Sequence, residues 1–258
     1  KGGLNKLATE INEMGLQFGL WFEPEMVSPI SELYKEHPDW CIHIPGRNRS
    51  EARRQLILDY SREDVCNYII EKISEVLSSA PISYVKWDMN RNMTEIGSAA
   101  WPAKKQKEVA HRYMLGLYRI LETITTSFPN ILFESCSGGG GRFDGGMLYY
   151  MPQTWTSDDT DAIERLKIQE GTSLVYPTSS MGSHVSAVPN HQVHRITPLH
   201  TRGVVAMAGS FGYELDVTKM SDEEKKEVKS QVEFYKKIRH TVQFGDLYRL
   251  ISVFDSNE

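Results

Sequence analysis

Residues 84–91, with the sequence YVKWDMNR, form the stretch of this chain whose side chains are best suited to chemistry. Their β-forming residues predict a buried strand that ends in a polar loop. Because side chains alternate along a strand, Lys86, Asp88 and Asn90 share one face, and the apolar residues between them share the other. An ammonium, a carboxylate and an amide at the carboxyl end of an apolar strand are typical of the catalytic end of a β/α barrel. We therefore place Asp88 at the centre of a candidate active site.

Cationic residues are expected around Asp88. Lys86 shares its strand face, and we expect Arg53 or Arg91 to lie nearby. Neighbouring cations lower the pKa of a carboxyl group and keep it ionised, as a nucleophile must be. The sequence therefore predicts that Asp88 is a nucleophile.

A second carboxylate, Asp158, follows a short predicted strand that contains Trp155, and it precedes a predicted helix. Paired carboxylates in contrasting environments carry out glycoside hydrolysis, one as nucleophile and the other as acid and base. An aromatic wall and the adjacent charge of Asp159 would favour the protonated form that a general acid needs. The alternative interpretation of Asp158 is the N-cap of the following helix, and Asp161 competes for both roles.

Other residues have a structural interpretation beside a functional one. Trp21 is either a stacking platform for a sugar ring or a core residue. The glycine run 138–141 lacks the pattern of a phosphate-binding loop, so it more simply lets the backbone approach a ligand. Cys136 is more often a small buried hydrophobe than a nucleophile. Glu23 and Glu25 have no further ligands at a matching spacing, which favours a charged barrel mouth over a metal site.

Strand, loop and helix alternate about six times, which is typical of parallel β/α units. The functional candidates fall at strand ends, and this favours a (β/α)8 barrel over a doubly wound sheet. By this count the barrel is incomplete, with about strands 3 to 8 present, and residues 1–258 form one barrel-domain fragment. The predicted strands are 18–24, 84–91, 131–136, 153–157, 173–176 and 203–208. The main predicted helices are 4–14, 65–77, 104–128, 162–171 and 221–242, and two of them follow capping-box patterns at 61–64 and 221–224.

The composition is that of an ordinary globular protein, with 40% hydrophobic and 24% charged residues and a formal net charge of −5. This acidic balance and the lack of a basic tract argue against nucleic-acid binding. No apolar run approaches the ~20 residues that span a bilayer, so we expect no membrane partner. Three cysteines without CxxC spacing favour a reducing compartment, and we expect a cytoplasmic protein without disulfides.

Four sequence blocks carry a resemblance to a known family. They are GLWFEPEM at 19–26, YVKWDMNR at 84–91, CSGGGGRFD at 136–144 and WTSDDTD at 155–161. They resemble signature motifs of the family 36 glycoside hydrolases, the microbial α-galactosidases of the melibiase and raffinase kind. The resemblance implies retaining removal of terminal α-linked galactose from oligosaccharides such as melibiose and raffinose. It implies a covalent galactosyl-enzyme and neither a metal nor an organic cofactor.

Site roles follow from the same resemblance. By position in the motifs, Asp88 corresponds to the nucleophile and Asp158 to the acid/base. The galactose pocket would be lined by Trp21, Arg53, Lys86, Asn90, Cys136, Gly138 and Gly139.

The chain departs from the family pattern in several ways. Family members have a β-sandwich domain before the barrel and a small β-domain after it, and both are absent from this chain. They typically read GRNQ where residues 52–55 read ARRQ. The expected partner is an α-galactoside oligosaccharide, and we expect a homo-oligomer for the full-length protein. The alternatives are α-galactosyl transfer to a sugar acceptor, α-N-acetylgalactosaminidase activity, or a catalytically incompetent barrel fragment.

Overall fold

The computed structural model describes residues 2–255. They fall into two compact units: the first contains the chain up to residue 137 together with 149–151, and the second contains 138–148 and the chain from 152 onward. The strands are β1 Phe18–Phe22, β2 Met26–Val27, β3 Leu56–Ile57, β4 Ile82–Asp88, β5 Leu132–Cys136, β6 Gln153–Trp155, β7 Met181–Ser186 and β8 Ser210–Glu214. The α-helices are α1 Gly3–Glu13, α2 Glu32–Glu36, α3 Glu63–Ser78, α4 Val109–Ser127, α5 Gly145–Tyr150, α6 Ala162–Ser173, α7 Leu199–Ala206 and α8 Asp222–Phe244. Short 3-10 helices lie at Pro38–Trp40, Ala103–Glu108, Thr178–Ser180 and Val217–Lys219.

The first unit is built on three parallel strands, in which β4 lies between β1 and β5. The register places Trp21 beside Lys86, and Asp88 beside Cys136. The predicted alternation of β4 is confirmed, because Val85 and Trp87 on its apolar face are completely buried. A separate antiparallel pair, β2 with β3, lies between β1 and β4 in sequence.

Helices α3 and α4 pack against each other beside these strands. The residues predicted to face inward on α4 are all buried: Val109, Tyr113, Leu117, Ile120, Leu121 and Ile124. Burial of such a stripe stabilises the unit by about 1.5 to 3 kcal/mol for each large apolar side chain. The first residues of the predicted helix form the 3-10 helix Ala103–Glu108 instead, and α4 begins at Val109.

The capping box predicted at 61–64 is wrong, whereas the one at 221–224 is confirmed. The N-cap of α3 is Arg62, without a side-chain cap, because the Ser61 hydroxyl donates to the carboxylate of Asp59 at 2.5 Å instead. At α8, the Ser221 hydroxyl accepts from the Glu224 backbone N–H, and the Glu224 carboxylate accepts from the Ser221 N–H. These two bonds satisfy donors that the first turn of a helix leaves without intrahelical partners.

The second unit has three parallel strands in the order β6, β7, β8. Helix α6 connects β6 to β7, and helix α7 connects β7 to β8. In the core of this unit, Val185 on β7 packs with Leu199 and Ala206 of α7.

Two predicted strands of this unit are wrong. Residues 173–176 end helix α6 and continue as a loop, in which Leu174 is 65% exposed and Val175 is 76% exposed. Residues 203–208 fall mostly within helix α7. The real strand β7 has the sequence MGSHVS, whose small polar residues do not show the alternation of apolar side chains that usually marks a strand.

Parallel strands joined by helices occur in both units, so the α/β class is confirmed. The assignment of these strands to positions 3 to 8 of a barrel stays a prediction. Among residues 2–255, no helix is both long and apolar enough to cross a bilayer.

Candidate active site

Asp88 is the last residue of β4, and its carboxylate is held by two hydrogen bonds. Oδ1 accepts from the backbone N–H of Met89 at 2.9 Å, and Oδ2 accepts from the indole Nε1 of Trp21 at 3.1 Å. Asp88 is 6% exposed, so little of its surface is open to solvent. The two bonds fix the plane of the carboxylate at the carboxyl end of the strand.

Trp21 lies on β1, and half of its surface remains exposed at 52%. The alternative prediction, that Trp21 is a buried core residue, is therefore wrong. Gly19, two residues earlier on the same face, allows the close approach of β1 to β4, because a Cβ there would lie 2.9 Å from the Cβ of Tyr84. The indole is thus anchored to Asp88 by its N–H while much of the ring stays open, as a stacking platform for a sugar requires.

Lys86 forms an ion pair with a residue that the sequence reading did not single out. Its Nζ lies 3.2 Å from Oε1 of Glu134, whose side chain is 2% exposed. The hydroxyl of Tyr84 also donates to Glu134. The available sequence signal was that Glu134 and Cys136 share one face of β5, and the register sets Glu134 beside Lys86.

Glu23 connects two of the predicted substrate-binding residues. Its Oε1 accepts from the amide Nδ2 of Asn90 at 2.6 Å and lies 3.6 Å from Nη1 of Arg53. Its Oε2 accepts from the amide of Gln55 at 3.0 Å. The Glu23 side chain is 8% exposed, so this carboxylate is a nearly buried centre for three partners.

Arg53 is carried by a tight turn. Ala52 and Gln55 exchange backbone hydrogen bonds, and Arg53 and Arg54 between them have φ of 54° and 59°. Two successive residues with positive φ are the geometry of a type I′ hairpin turn, which favours Asn and Gly. Arg91 braces the turn, because its Nη1 donates to the carbonyl of Gln55 at 2.9 Å.

Arg53 and Arg91 have partners other than Asp88, and their expected proximity to Asp88 stays a prediction. Arg53 pairs with Glu23, and the hydrogen bonds of Arg91 go to backbone carbonyls and to Thr94. Of the two, it is Arg91 that donates to acceptors of the 50–55 segment, namely the carbonyls of Ser50 and Gln55.

Glu25 was predicted to form part of a charged barrel mouth. It is completely buried instead. Its carboxylate accepts from the indole of Trp87 at 2.9 Å and from the hydroxyl of Tyr113 at 2.5 Å. Two hydrogen-bond donors of this kind allow a carboxylate to be buried, and here the shared carboxylate links β4 to helix α4.

Asp158 lies in the second unit, just after β6, and its side chain is exposed. The N-cap interpretation of Asp158 is wrong, because Asp161 caps α6 by accepting from the N–H groups of Ile163 and Glu164. Asp161 itself is 2% exposed and pairs with Arg195. Asp158 is thereby left available for another role.

Gly138 and Gly139 both have positive φ, of 55° and 80°. A Cβ on Gly139 would lie 2.6 Å from Cα of Ser157 and 2.9 Å from the backbone nitrogen of Asp158. The next glycine, Gly140, donates its N–H to the carbonyl of Thr156 at 3.0 Å. The glycine run therefore packs directly on the backbone that carries Asp158.

Trp155, proposed as an aromatic wall for Asp158, is 3% exposed. Its ring centroid lies 4.8 Å from that of His184, and the guanidinium carbon of Arg165 lies 4.7 Å from it. Asp159 accepts a hydrogen bond from the N–H of Asp161. These contacts assign Trp155 and Asp159 to packing and loop structure around β6.

Cys136 is 2% exposed at the end of β5, next to Asp88 in register. The cysteines at 41, 66 and 136 are all free thiols in buried positions. Burial raises the pKa of Cys41 and of Cys66 to about 11, which keeps these two thiols protonated and unreactive at neutral pH. Across residues 2–255, no group of three or more His, Cys, Asp or Glu side chains is placed to hold a metal ion.

The melibiase family model matches residues 1–245. The chain is 72% identical over 256 residues to α-galactosidase AgaA of Geobacillus stearothermophilus, which is 99% of this chain and 35% of that protein. It is 58% identical over 248 residues to α-galactosidase Mel36A of Lactobacillus acidophilus, covering 96% of this chain and 34% of that protein.

The solved structures agree with the sequence relatives. The crystal structure of AgaA superposes with a TM-score of 0.97 at 71% identity, over 99% of this chain and 36% of that one. The α-galactosidase TtGalA of Thermus thermophilus, at 19% identity and a TM-score of 0.64, shares the fold. The chain spans about a third of the length of its close relatives. Since the family model covers nearly all of it, the chain belongs to the melibiase family.

Proposed function

We propose that this chain supplies the catalytic residues of a retaining α-galactosidase that removes terminal α-linked galactose from oligosaccharides such as raffinose and melibiose. AgaA and Mel36A are both named as α-galactosidases. Crystal structures of AgaA variants hold raffinose and stachyose, which are oligosaccharides of this kind. These relatives support the same substrate class for the protein that contains this chain.

The single observation that carries the proposal is the hydrogen bond from Trp21 to Asp88. It joins an open aromatic ring, which can stack on a sugar, to a carboxylate whose two oxygens are both oriented. A nucleophile beside a stacking surface is what a glycosidase needs to attack an anomeric carbon held in place.

In the first step, an oxygen of Asp88 attacks the anomeric carbon of galactose, and the bond from that carbon to the glycosidic oxygen breaks. Asp158 gives its proton to the departing oxygen, so the leaving sugar departs as an alcohol. The products are a covalent galactosyl ester on Asp88 and an ionised Asp158.

In the second step, Asp158 takes a proton from a water molecule, whose oxygen attacks the same anomeric carbon. The ester bond to Asp88 breaks, which releases galactose with its original anomeric configuration. Both carboxyl groups return to their starting states, so the cycle needs no external oxidant, reductant or metal.

The remaining site residues are assigned to substrate binding from the chemical groups that they offer. Lys86, Asn90 and Arg53 offer polar groups for sugar hydroxyls, and Trp21 offers its ring face. The burial of Cys136 leaves it a shape-determining role at the end of β5. Gly138 and Gly139 offer a backbone without side chains, which a ligand can approach closely.

We also propose that the six parallel strands are strands 3 to 8 of a (β/α)8 barrel. The alternation of strand and helix in both units and the superposition on AgaA support this. We further propose a cytoplasmic location, which the cysteine usage supports. We also propose that the full-length protein is a homo-oligomer, as the family resemblance implies.

The test is hydrolysis of raffinose and of an aryl α-galactoside by a chimera in which this chain replaces the matching third of AgaA. We expect turnover, and we expect Asp88→Asn to reduce it by at least about 10⁴-fold because the covalent step is lost. Asp39→Asn, at a half-exposed carboxylate, is the control and should retain activity. Normal turnover by Asp88→Asn would contradict the proposal.

Two further measurements separate the alternatives. Adding a sucrose acceptor and following the products distinguishes transfer from hydrolysis. An aryl α-N-acetylgalactosaminide in place of the galactoside tests the second substrate class. Assaying the 258 residues alone shows whether they form a working site without the remainder of a family member.

A further inference from the structure

We propose that Arg165, on helix α6, is a positioning residue that holds the backbone before Asp158 in the place required for proton transfer to the leaving group. This inference rests on the proposed function, and it adds to the site a residue that the sequence motifs do not include. Asp158 is the proton donor, and Arg165 acts through the two residues that precede it.

The contacts of Arg165 converge on that segment. Its Nη1 donates to the hydroxyl of Thr156 at 2.8 Å and to the carbonyl of Ser157 at 3.3 Å. Its Nη2 donates to the carbonyl of Gly182 on β7 at 2.6 Å. One planar guanidinium therefore ties the residues directly before Asp158 to the neighbouring strand.

Arg165 is itself firmly placed. It is 2% exposed, and its guanidinium lies over the ring of Trp155. Its backbone N–H donates to the carbonyl of Asp161, the N-cap of α6, at 2.9 Å. The carboxylate of Asp161 also pairs with Arg195, so a residue from outside α6 helps to hold the first turn of this helix.

The glycine run also contacts the same segment. Gly140 donates to the carbonyl of Thr156, and Gly139 leaves no room for a Cβ against Ser157 and Asp158. The backbone of 156–158 is thus held both by packing against the glycine run and by the hydrogen bonds of Arg165. Asp158 remains exposed at the end of this clamped segment.

A lysine cannot reproduce this arrangement. The rigid fork of arginine reaches acceptors in several directions at once, while an ammonium is a single compact charge on a flexible stem. Arg165→Lys keeps the buried positive charge but loses the simultaneous contacts to Thr156, Ser157 and Gly182. We expect the segment, and Asp158 with it, to lose its fixed position.

Misplacing a proton donor has a specific kinetic signature. The alkoxide formed from a sugar hydroxyl is a poor leaving group and needs the proton, whereas a dinitrophenolate leaves without it. The ratio kcat/KM reports the bond-breaking step from free enzyme and substrate. A defect in positioning Asp158 therefore lowers kcat/KM for raffinose far more than for dinitrophenyl α-galactoside.

The experiment compares these two substrates in the AgaA chimera. We expect Arg165→Lys to lower kcat/KM for raffinose at least about tenfold and to change the value for dinitrophenyl α-galactoside less than about threefold. Asp158→Ala should show the same selectivity to a greater degree. Thr156→Val, which removes only one of the hydrogen bonds of Arg165, should show a smaller selective loss while folding normally.

Arg202→Lys is the matched control. Arg202 is also nearly buried in the second unit, and it donates to the carbonyls of Thr197 and Ser186 rather than to the 156–158 segment. We expect it to lower thermal stability and to affect both substrates equally. An equal loss for both substrates in Arg165→Lys and in Thr156→Val would overturn the role of Arg165. An unmutated chimera that hydrolyses neither substrate would instead overturn the proposed function.

Discussion

The amide nitrogen of Asn90 donates to the carboxylate of Glu23 at 2.6 Å. This bond uses one N–H of the amide and fixes its orientation, so the carbonyl oxygen and the second N–H of Asn90 are left to meet a ligand. A carbonyl oxygen only accepts hydrogen bonds, and a sugar hydroxyl can donate one. Glu23 thereby determines where Asn90 presents its acceptor oxygen to the substrate.

Glu23→Gln is expected to weaken substrate binding. The charged hydrogen bonds are lost, and the new amide can donate as well as accept, so the side chain of Asn90 is free to turn over. We expect KM for raffinose to rise about tenfold, with a smaller change in kcat. The control is Glu32→Gln at an exposed carboxylate paired with Lys35, which should leave both constants unchanged. An unaltered KM in Glu23→Gln would exclude this role.

Gly139→Ala is expected to disturb Asp158 directly. The new Cβ would lie within 3 Å of the backbone of Ser157 and Asp158, at a residue with φ of 80°. We expect kcat for raffinose to fall at least about tenfold, because small displacements of a catalytic group are costly. Gly145→Ala, where a Cβ meets nothing within 4 Å, is the control. Equal activity of the two variants would show that the glycine contact does not position Asp158.

Local sequence pattern predicted the part of the site that lies on one strand. The alternation of residues 84–91 placed Lys86 and Asp88 on one face because that face depends only on the period of a strand. The apolar spacing of 109–124 predicted the buried side of α4 for the same reason. The position of Asp158 just after a strand was also predicted, and it lies just after β6.

Residues whose contacts are distant in sequence could not be predicted from local pattern. Arg165 reaches Ser157 and Gly182 only because α6 returns along β6 and β7. Strand β7 was missed because its residues are small and polar, and its pairing with β6 and β8 is what makes it a strand. Glu134 looked like an ordinary strand residue until the register placed it beside Lys86.

The ion pairs of Arg62 predict a pH-dependent contribution to stability. Hydrogen bonding to its guanidinium lowers the pKa of Asp39 and of Asp64 below the ordinary value. A lowered folded-state pKa stabilises the protein above the unfolded pKa of about 4, and this is lost as the pH falls through the folded values. Both carboxylates are about half exposed, so we expect Arg62→Gln to cost about 1 kcal/mol or less at pH 7.

Urea unfolding between pH 7 and pH 2 measures the contribution of these ion pairs to the free energy of unfolding. The difference between wild type and Arg62→Gln should shrink as the pH falls below about 4. Arg47→Gln, at an exposed arginine, should track the wild type throughout. A difference that stays constant down to pH 2 would show that Arg62 stabilises by packing rather than by its ion pairs.

Gly116 and Gly171 form a matched pair of helical glycines with opposite expected effects. Replacing glycine by alanine inside a helix normally stabilises it by about 0.5 to 1 kcal/mol. At Gly116 in α4, however, the new Cβ would lie 1.8 Å from the carbonyl oxygen of Tyr60, and backbone must move to admit it. We expect Gly116→Ala to lower the free energy of unfolding by at least about 2 kcal/mol. Gly171→Ala in α6, where a Cβ meets nothing within 4 Å, should raise it instead. Urea titrations of both variants measure the two changes, and a stabilised Gly116→Ala would show that α4 does not approach Tyr60 as closely as described.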